Sequence, residues 1–190
     1  MTVALTYDEV KALNPTCGRF TRIVKKLGGK DAWNGNRIDA ATARAAGASL
    51  DDLIWVTSAL VEADKNVERR LRLWVVDCAA HVLHIYEKTE ASTAPRKAII
   101  ASRQYARGEI DGAAWDTARG AAWDTARATA GATARAAAWA AAWGMAWGVA
   151  WAARDAAGAE EEQWQFDRFI AWFSDNEPDD WPLPPKQEAA

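Results

Sequence analysis

Between Trp115 and Trp151 every fourth residue is Trp, Arg or Gly, in the order Trp115, Arg119, Trp123, Arg127, Gly131, Arg135, Trp139, Trp143, Trp147 and Trp151, and each is preceded by alanine. A four-residue period filled with alanine leaves the chain one regular option. Alanine has the highest helix propensity and positions four apart fall on nearly the same helix face, whereas a strand needs a period of two. The spacing predicts cation–π pairs between Trp115 and Arg119 and between Trp123 and Arg127. Each step over-rotates by roughly 40°, so a straight helix would carry the row about once around its axis over roughly 54 Å. No flat partner covers such a spiral. A break near Gly131 is therefore expected, with Trp139, Trp143, Trp147 and Trp151 forming the wide apolar face of a packed helix.

Helix signals continue on both sides of the tetrads. Thr6 and Glu9 have capping-box spacing ahead of a short helix that Asn14-Pro15 stops. Phe20, Ile23, Val24 and Leu27 share a face of a second helix closed by Gly28-Gly29, and residues 30–36 read as a turn-rich loop. A small alanine-rich helix is expected over residues 38–46. Ser49, followed by Asp51 and Asp52, caps another. Leu71, Trp74, Val75, Cys78, Val82 and Ile85 mark a longer helix over about 65–88. Pro95 opens a helix that Gly108 ends, and a last one is expected over about 160–173. No useful alternating pattern occurs anywhere. The expected fold is an all-α multi-helix bundle in which the tetrads form a helical hairpin or one long helix. Three regions are expected: small helices over 1–48 packed on the core, a bundle core over 49–174, and a Pro-rich acidic tail over 175–190.

The composition narrows the function classes. Half of the 190 residues are hydrophobic and twelve are Trp, yet the mean hydropathy is -0.28. The uncharged stretch 136–153 interleaves Trp with Ala and Gly, which suits a buried bundle helix better than a membrane span. With no signal-peptide pattern after Met1 and two widely spaced cysteines, Cys17 and Cys78, the expected location is the cytoplasm with both thiols reduced. The net charge of -3 lacks the basic excess of a nucleic-acid binder. It is uneven, however: residues 65–107 hold nine basic and four acidic residues, and residues 160–180 hold eight acidic residues against Arg168.

Asp77, Cys78, His81 and His84 lie on one expected helix, but a closed metal site needs ligands from a second element and the chain has only these two histidines. A buried Cys78 with hydrogen-bonded histidines is the reading preferred, and no metal or cofactor is assigned. Cys17, ahead of a helix start, has the position of a reactive thiol but no base placed near it. Phosphate loops, dinucleotide fingerprints, zincin motifs and serine elbows are all missing, so the chain is read as non-enzymatic. Arg96, Arg103 and Arg107, spaced by seven and four, would share one face of the helix after Pro95. As a rule such a face is simply solvated; with Tyr105, Trp115 and Arg119 nearby it can instead form a cationic and aromatic surface for an anionic partner.

Asp77-Cys78-Ala79 with Val82-Leu83, then Ala94-Pro95-Arg96-Lys97-Ala98-Ile99, then Ala106-Arg107-Gly108-Glu109-Ile110, followed by the Ala/Trp/Arg repeats, resembles the immunity protein family of bacterial toxin systems, whose members are also common in actinobacterial phages. The resemblance covers about residues 74–157. It implies a role in binding and neutralising an antagonist, a toxin or a defence effector, and implies no mechanism. The family pattern has Arg and Pro where this chain has His81 and His84, which counts against a metal site. The alternative is a phage-type sequestering protein that holds a signalling nucleotide against Arg and Trp side chains. The expected partner is thus a protein antagonist or an anionic small ligand, without membrane or nucleic acid, and a homo-oligomer stays open.

Overall fold

The computed structural model describes residues 2–15, 18–129, 131–142 and 146–183. Well over half of these are helical, in eleven helices, and the strands amount to a single two-residue ladder. The fold is all-α. Its residues gather into two compact units: Met1–Arg70 with Phe166–Pro178, and Leu71–Gln165 with the residues from Asp179 onward.

The first unit begins with β1 (Ala4–Leu5), which pairs antiparallel with β2 (Ile38–Asp39) in the register Ala4 to Asp39 and Leu5 to Ile38. Between them lie α1 (Tyr7–Ala12), α2 (Gly18–Lys26) and α3 (Lys30–Gly35). The Thr6–Glu9 capping box forms as its spacing predicts. Gly28 and Gly29 both adopt positive φ, and the Gly29 amide donates to the Val24 carbonyl at 2.9 Å, which closes α2 in a Schellman turn.

The expected loop over 30–36 is helical instead. The reason is tertiary: Trp33 turns inward to 5% exposure, donates its indole N–H to the Leu5 carbonyl at 2.8 Å, and meets Tyr7 and Phe20 ring to ring. That anchor outweighs the weak propensity of Lys-Asp-Ala-Trp-Asn-Gly. The helix expected from Ile38 starts two residues later as α4 (Ala40–Ala45), because Ile38 and Asp39 pair with β1 and Asp39 caps the helix from outside. α5 (Leu50–Leu60) follows, capped by Ser49 and Asp52. The unit takes in the start of α6 (Lys65–Glu87) and the end of α11 (Ala159–Phe173), where Phe169, Trp172 and Phe173 are buried. Arg70, only 3% exposed at its side chain, donates to the carbonyls of Trp172 and Ser174 and pairs with Glu177 at 3.0 Å. Arg69 pairs with the same carboxylate.

The second unit is built from the rest of α6, then α7 (Ala94–Ala106), α8 (Gly112–Ala128), α9 (Ala132–Ala142), α10 (Ala146–Ala157) and the start of α11. The tetrads thus occupy three consecutive helices. The first break falls at Thr129–Gly131, where Thr129 leaves the helical region with ψ 124. Consecutive helices pack: α7 on α8, α8 on α9, α9 on α10.

Many of the alanines of these helices are buried. Ala122, Ala126, Ala134, Ala136, Ala137, Ala138, Ala140, Ala141, Ala152, Ala153 and Ala156 are buried, while Trp151 is 69% exposed. Trp151 therefore does not belong to the packed face expected of it. Small side chains let helix axes approach closely, and Trp123 packs beside the buried pair Ala98 and Ala122. Trp143 lies outside the described residues, as do the side chains of Trp139 and Trp147.

Candidate functional site

The second unit brings most of the cationic and aromatic residues singled out in the sequence onto α6, α7 and α8, but divides them into different environments. Pro95 sets the first turn of α7, and Gly108, at φ 74, ends it with the Glu109 amide donating to the Gln104 carbonyl at 2.9 Å. Asp111 then caps α8 through the Ala114 amide. These two local signals place the end of α7 against the beginning of α8.

There the Tyr105 and Trp115 rings stack with centroids 4.9 Å apart and planes within 4°. The Trp115 indole N–H donates to Ser102 Oγ at 2.9 Å, which fixes the ring's orientation. Arg119 lies over Trp115 at 4.8 Å, as its four-residue spacing predicts, and Asp116 holds its guanidinium at 3.0 Å. Arg72 from α6 completes the array at 5.2 Å from the Tyr105 ring and 5.6 Å from Trp115. Tyr105, Trp115, Arg119 and Arg72 are all half-buried, so each keeps part of its surface in water. Arg107 is exposed at the end of α7.

Arg96 and Arg103 do not join a solvated face with Arg107. Arg96 forms a two-pronged pair with Glu87, Nε to Oε1 at 2.6 Å and Nη2 to Oε2 at 2.7 Å, with only 12% of its side chain exposed. The Glu87 hydrogen bond raises the Arg96 pKa further above its already high value. Arg103 is buried at 5% exposure, donates to Asp77 Oδ1 at 3.2 Å and lies 4.6 Å from the Trp181 ring centroid. Arg107 follows Arg103 by four residues, about 40° beyond one full turn, and at the end of α7 it stays in solvent while Arg103 turns inward.

The Asp77/Cys78/His81/His84 group also disperses. Asp77 is fully buried on Arg103, and Cys78 is buried in the core. His81 stacks on Trp164 with centroids 3.7 Å apart and planes within 1°, and its Nδ1 lies 2.7 Å from Glu161 Oε2. Gln165 donates to the other oxygen of Glu161, and Trp74 donates to the Gln165 carbonyl. His84 donates from Nδ1 to the His81 carbonyl. Among the described residues no three His, Cys, Asp or Glu side chains converge on a point that could hold a metal ion. Cys17 lies outside the described residues.

Sequence spacing had no means of finding Arg72, Ser102, Glu87 or Glu161, because each meets its partner from another helix. Arg72 had one indirect signal, the basic run Arg69-Arg70-Arg72 at the start of α6.

Tyr105, Trp115, Arg72 and Arg119 thus form an ordered cation–aromatic array on an all-α chain. Residues 62–170, more than half of the chain, match the family model described as Imm-5 like putative immunity protein. The chain belongs to that family. The matched segment contains Arg72, Tyr105, Arg107, Trp115 and Arg119. Neither a curated protein nor a solved structure matches the chain. Among the described residues no helix is long and apolar enough to cross a membrane.

Proposed function

We propose that the chain is a non-enzymatic immunity or counter-defence protein that binds and neutralises a protein antagonist through the surface formed by Arg72, Tyr105, Arg107, Trp115 and Arg119. Family membership supports the immunity role. The observation that carries the choice of surface is the Tyr105–Trp115 stack bracketed by the guanidinium groups of Arg72 and Arg119. Trp, Tyr and Arg dominate binding energy at protein interfaces because they bury large areas at low entropic cost. Here the rings are stacked before any partner arrives, so little ordering remains to oppose association. The arginines select an anionic contact surface, since guanidinium pairs with carboxylates through two parallel hydrogen bonds.

The deciding experiment is rescue of bacterial growth against a panel of co-expressed toxin domains, comparing the unaltered chain with Arg107→Glu/Arg119→Glu and with Trp115→Ala. The unaltered chain should rescue against its cognate toxin. Both variants should lose rescue, and the charge-reversal variant should melt within about 1 kcal/mol of the original because its sites are at least partly solvated. Retained rescue in both variants would remove this surface from consideration. The same rings and guanidinium groups favour a second reading, sequestration of a nucleotide by base stacking and phosphate pairing. Saturable calorimetric heat from a cyclic or ADP-ribose-type nucleotide, lost in Trp115→Ala, would establish that reading instead.

A further inference from the structure

The first unit contains a partly open cavity of about 100 Å³. Its buried walls are Val10, Ile23, Trp33, Leu53, Phe169 and Phe173, and its partly exposed rim includes Phe20, Trp55 and Val56. Close-packed protein seldom leaves such a space, and water lodged against carbon-lined walls forgoes hydrogen bonds, which favours its displacement by an apolar group.

The polar groups at the lining identify what the space can hold. Trp33 spends its indole N–H on the Leu5 carbonyl. Thr57 donates its hydroxyl to the Leu53 and Ile54 carbonyls. Asp39 accepts from the Thr42 amide, and Asp52 accepts from Ser49 and pairs with Arg19 at 3.3 Å. The surface that the lining presents to the space is almost wholly carbon, so a hydroxyl or charge brought into the cavity would meet chiefly aromatic and aliphatic groups.

We infer that this cavity is a binding site for a compact hydrocarbon group, a single aromatic ring or a short alkyl chain of about six carbons, the size that a void of this order accommodates. The site is independent of the proposed recognition surface. It lies in the other unit, and most of its lining falls outside the segment that matches the family model.

The test is calorimetric titration of the full chain with toluene and with phenol. Toluene should bind saturably with one-to-one stoichiometry, and phenol at least about tenfold more weakly, because its hydroxyl loses water without gaining a partner. At ten times its Kd, toluene should raise the Tm by about 3–6 °C. Ala43→Phe, which places a ring into the cavity from α4, should abolish the binding while keeping a cooperative melt. As a readout that does not depend on the variant folding, nuclear Overhauser contacts should join the toluene protons to the methyl groups of Val10, Leu53 and Val56. Absence of saturable toluene binding would overturn the proposal, as would undiminished binding in a folded Ala43→Phe, contacts only to methyl groups outside the cavity lining, or equal affinity for phenol.

Discussion

Charged residues in this protein divide by how deeply their partners are buried, and the division decides what each substitution will do. Asp77 and Arg103 have both left water, and removing one partner strands the other charge. Arg103→Met is expected to destabilise the chain by about 3–5 kcal/mol, whereas Asp77→Leu/Arg103→Met should recover much of that loss, since an apolar pair no longer needs charge compensation. Urea denaturation of the two variants checks this, and a double variant less stable than the single one would contradict it. For the same reason a triple reversal of Arg96, Arg103 and Arg107 would unfold the protein and could not report on binding. Only Arg107 among the three is exposed.

Glu177 makes a second residue-scale prediction. Burial pushes its pKa up, but the hydrogen bond and charge of Arg69, reinforced by Arg70, outweigh burial and hold the carboxyl below its ordinary 4.5. A carboxylate with a depressed folded-state pKa contributes stability that is complete above the unfolded-state value and disappears as pH falls through the folded-state value. Glu177→Gln should therefore lower the Tm at neutral pH and melt like the parent at strongly acidic pH. A Tm deficit that persists unchanged into acid would show that the contact acts through packing and owes nothing to charge.

Among the elements, α8 shows how a repeated sequence can meet different surroundings. Residues 113–119 and 121–127 have the same sequence, Ala-Ala-Trp-Asp-Thr-Ala-Arg. Local geometry repeats with it: Thr117 and Thr125 each donate to the carbonyl four residues back at 2.9 Å, and Asp116 and Asp124 each pair with the arginine three residues on. Eight residues turn the helix by about 80° beyond two full turns. Ala114 is consequently exposed where its counterpart Ala122 is fully buried, and Trp115 stacks on Tyr105 while Trp123 packs against Ala98 and Ala122.

What the sequence made legible was local. Caps at Thr6 and Ser49, the stop at Gly108 and the break near Gly131 follow from neighbours within a turn or two, as does the Trp115–Arg119 contact. The inward turn of Trp33, the burial of Arg103 and the arrival of Arg72 depend on which helix faces which, and no periodicity encodes that. The tetrads were legible as helix, and at Trp151 misleading as core: that side chain stands in solvent while Ala152, Ala153 and Ala156 beside it are buried. Ala126→Leu is accordingly expected to cost about 1–3 kcal/mol through overpacking, and Trp151→Ala to stay within about 0.5 kcal/mol. Chemical denaturation of the two variants decides, and the reverse order would restore the tryptophans as the packing face.

For the whole molecule, the two proposed sites belong to different units and should fail separately. Ala43→Phe should keep growth rescue while losing toluene, and Arg107→Glu/Arg119→Glu should keep toluene while losing rescue. Parallel loss of both activities in either variant would mean that the substitution acts through global unfolding, which its melting curve would reveal. The alanine-lined contacts of α8, α9 and α10 have a further consequence for how the chain can diverge. In a saturation mutagenesis screen for folded protein, Ala122, Ala126 and Ala138 should accept little besides glycine and serine, while Arg127 and Trp151 should accept nearly anything. The smallest side chains would then be the slowest positions to change over evolutionary time, and large ones such as Arg127 and Trp151 would be free to be rewritten.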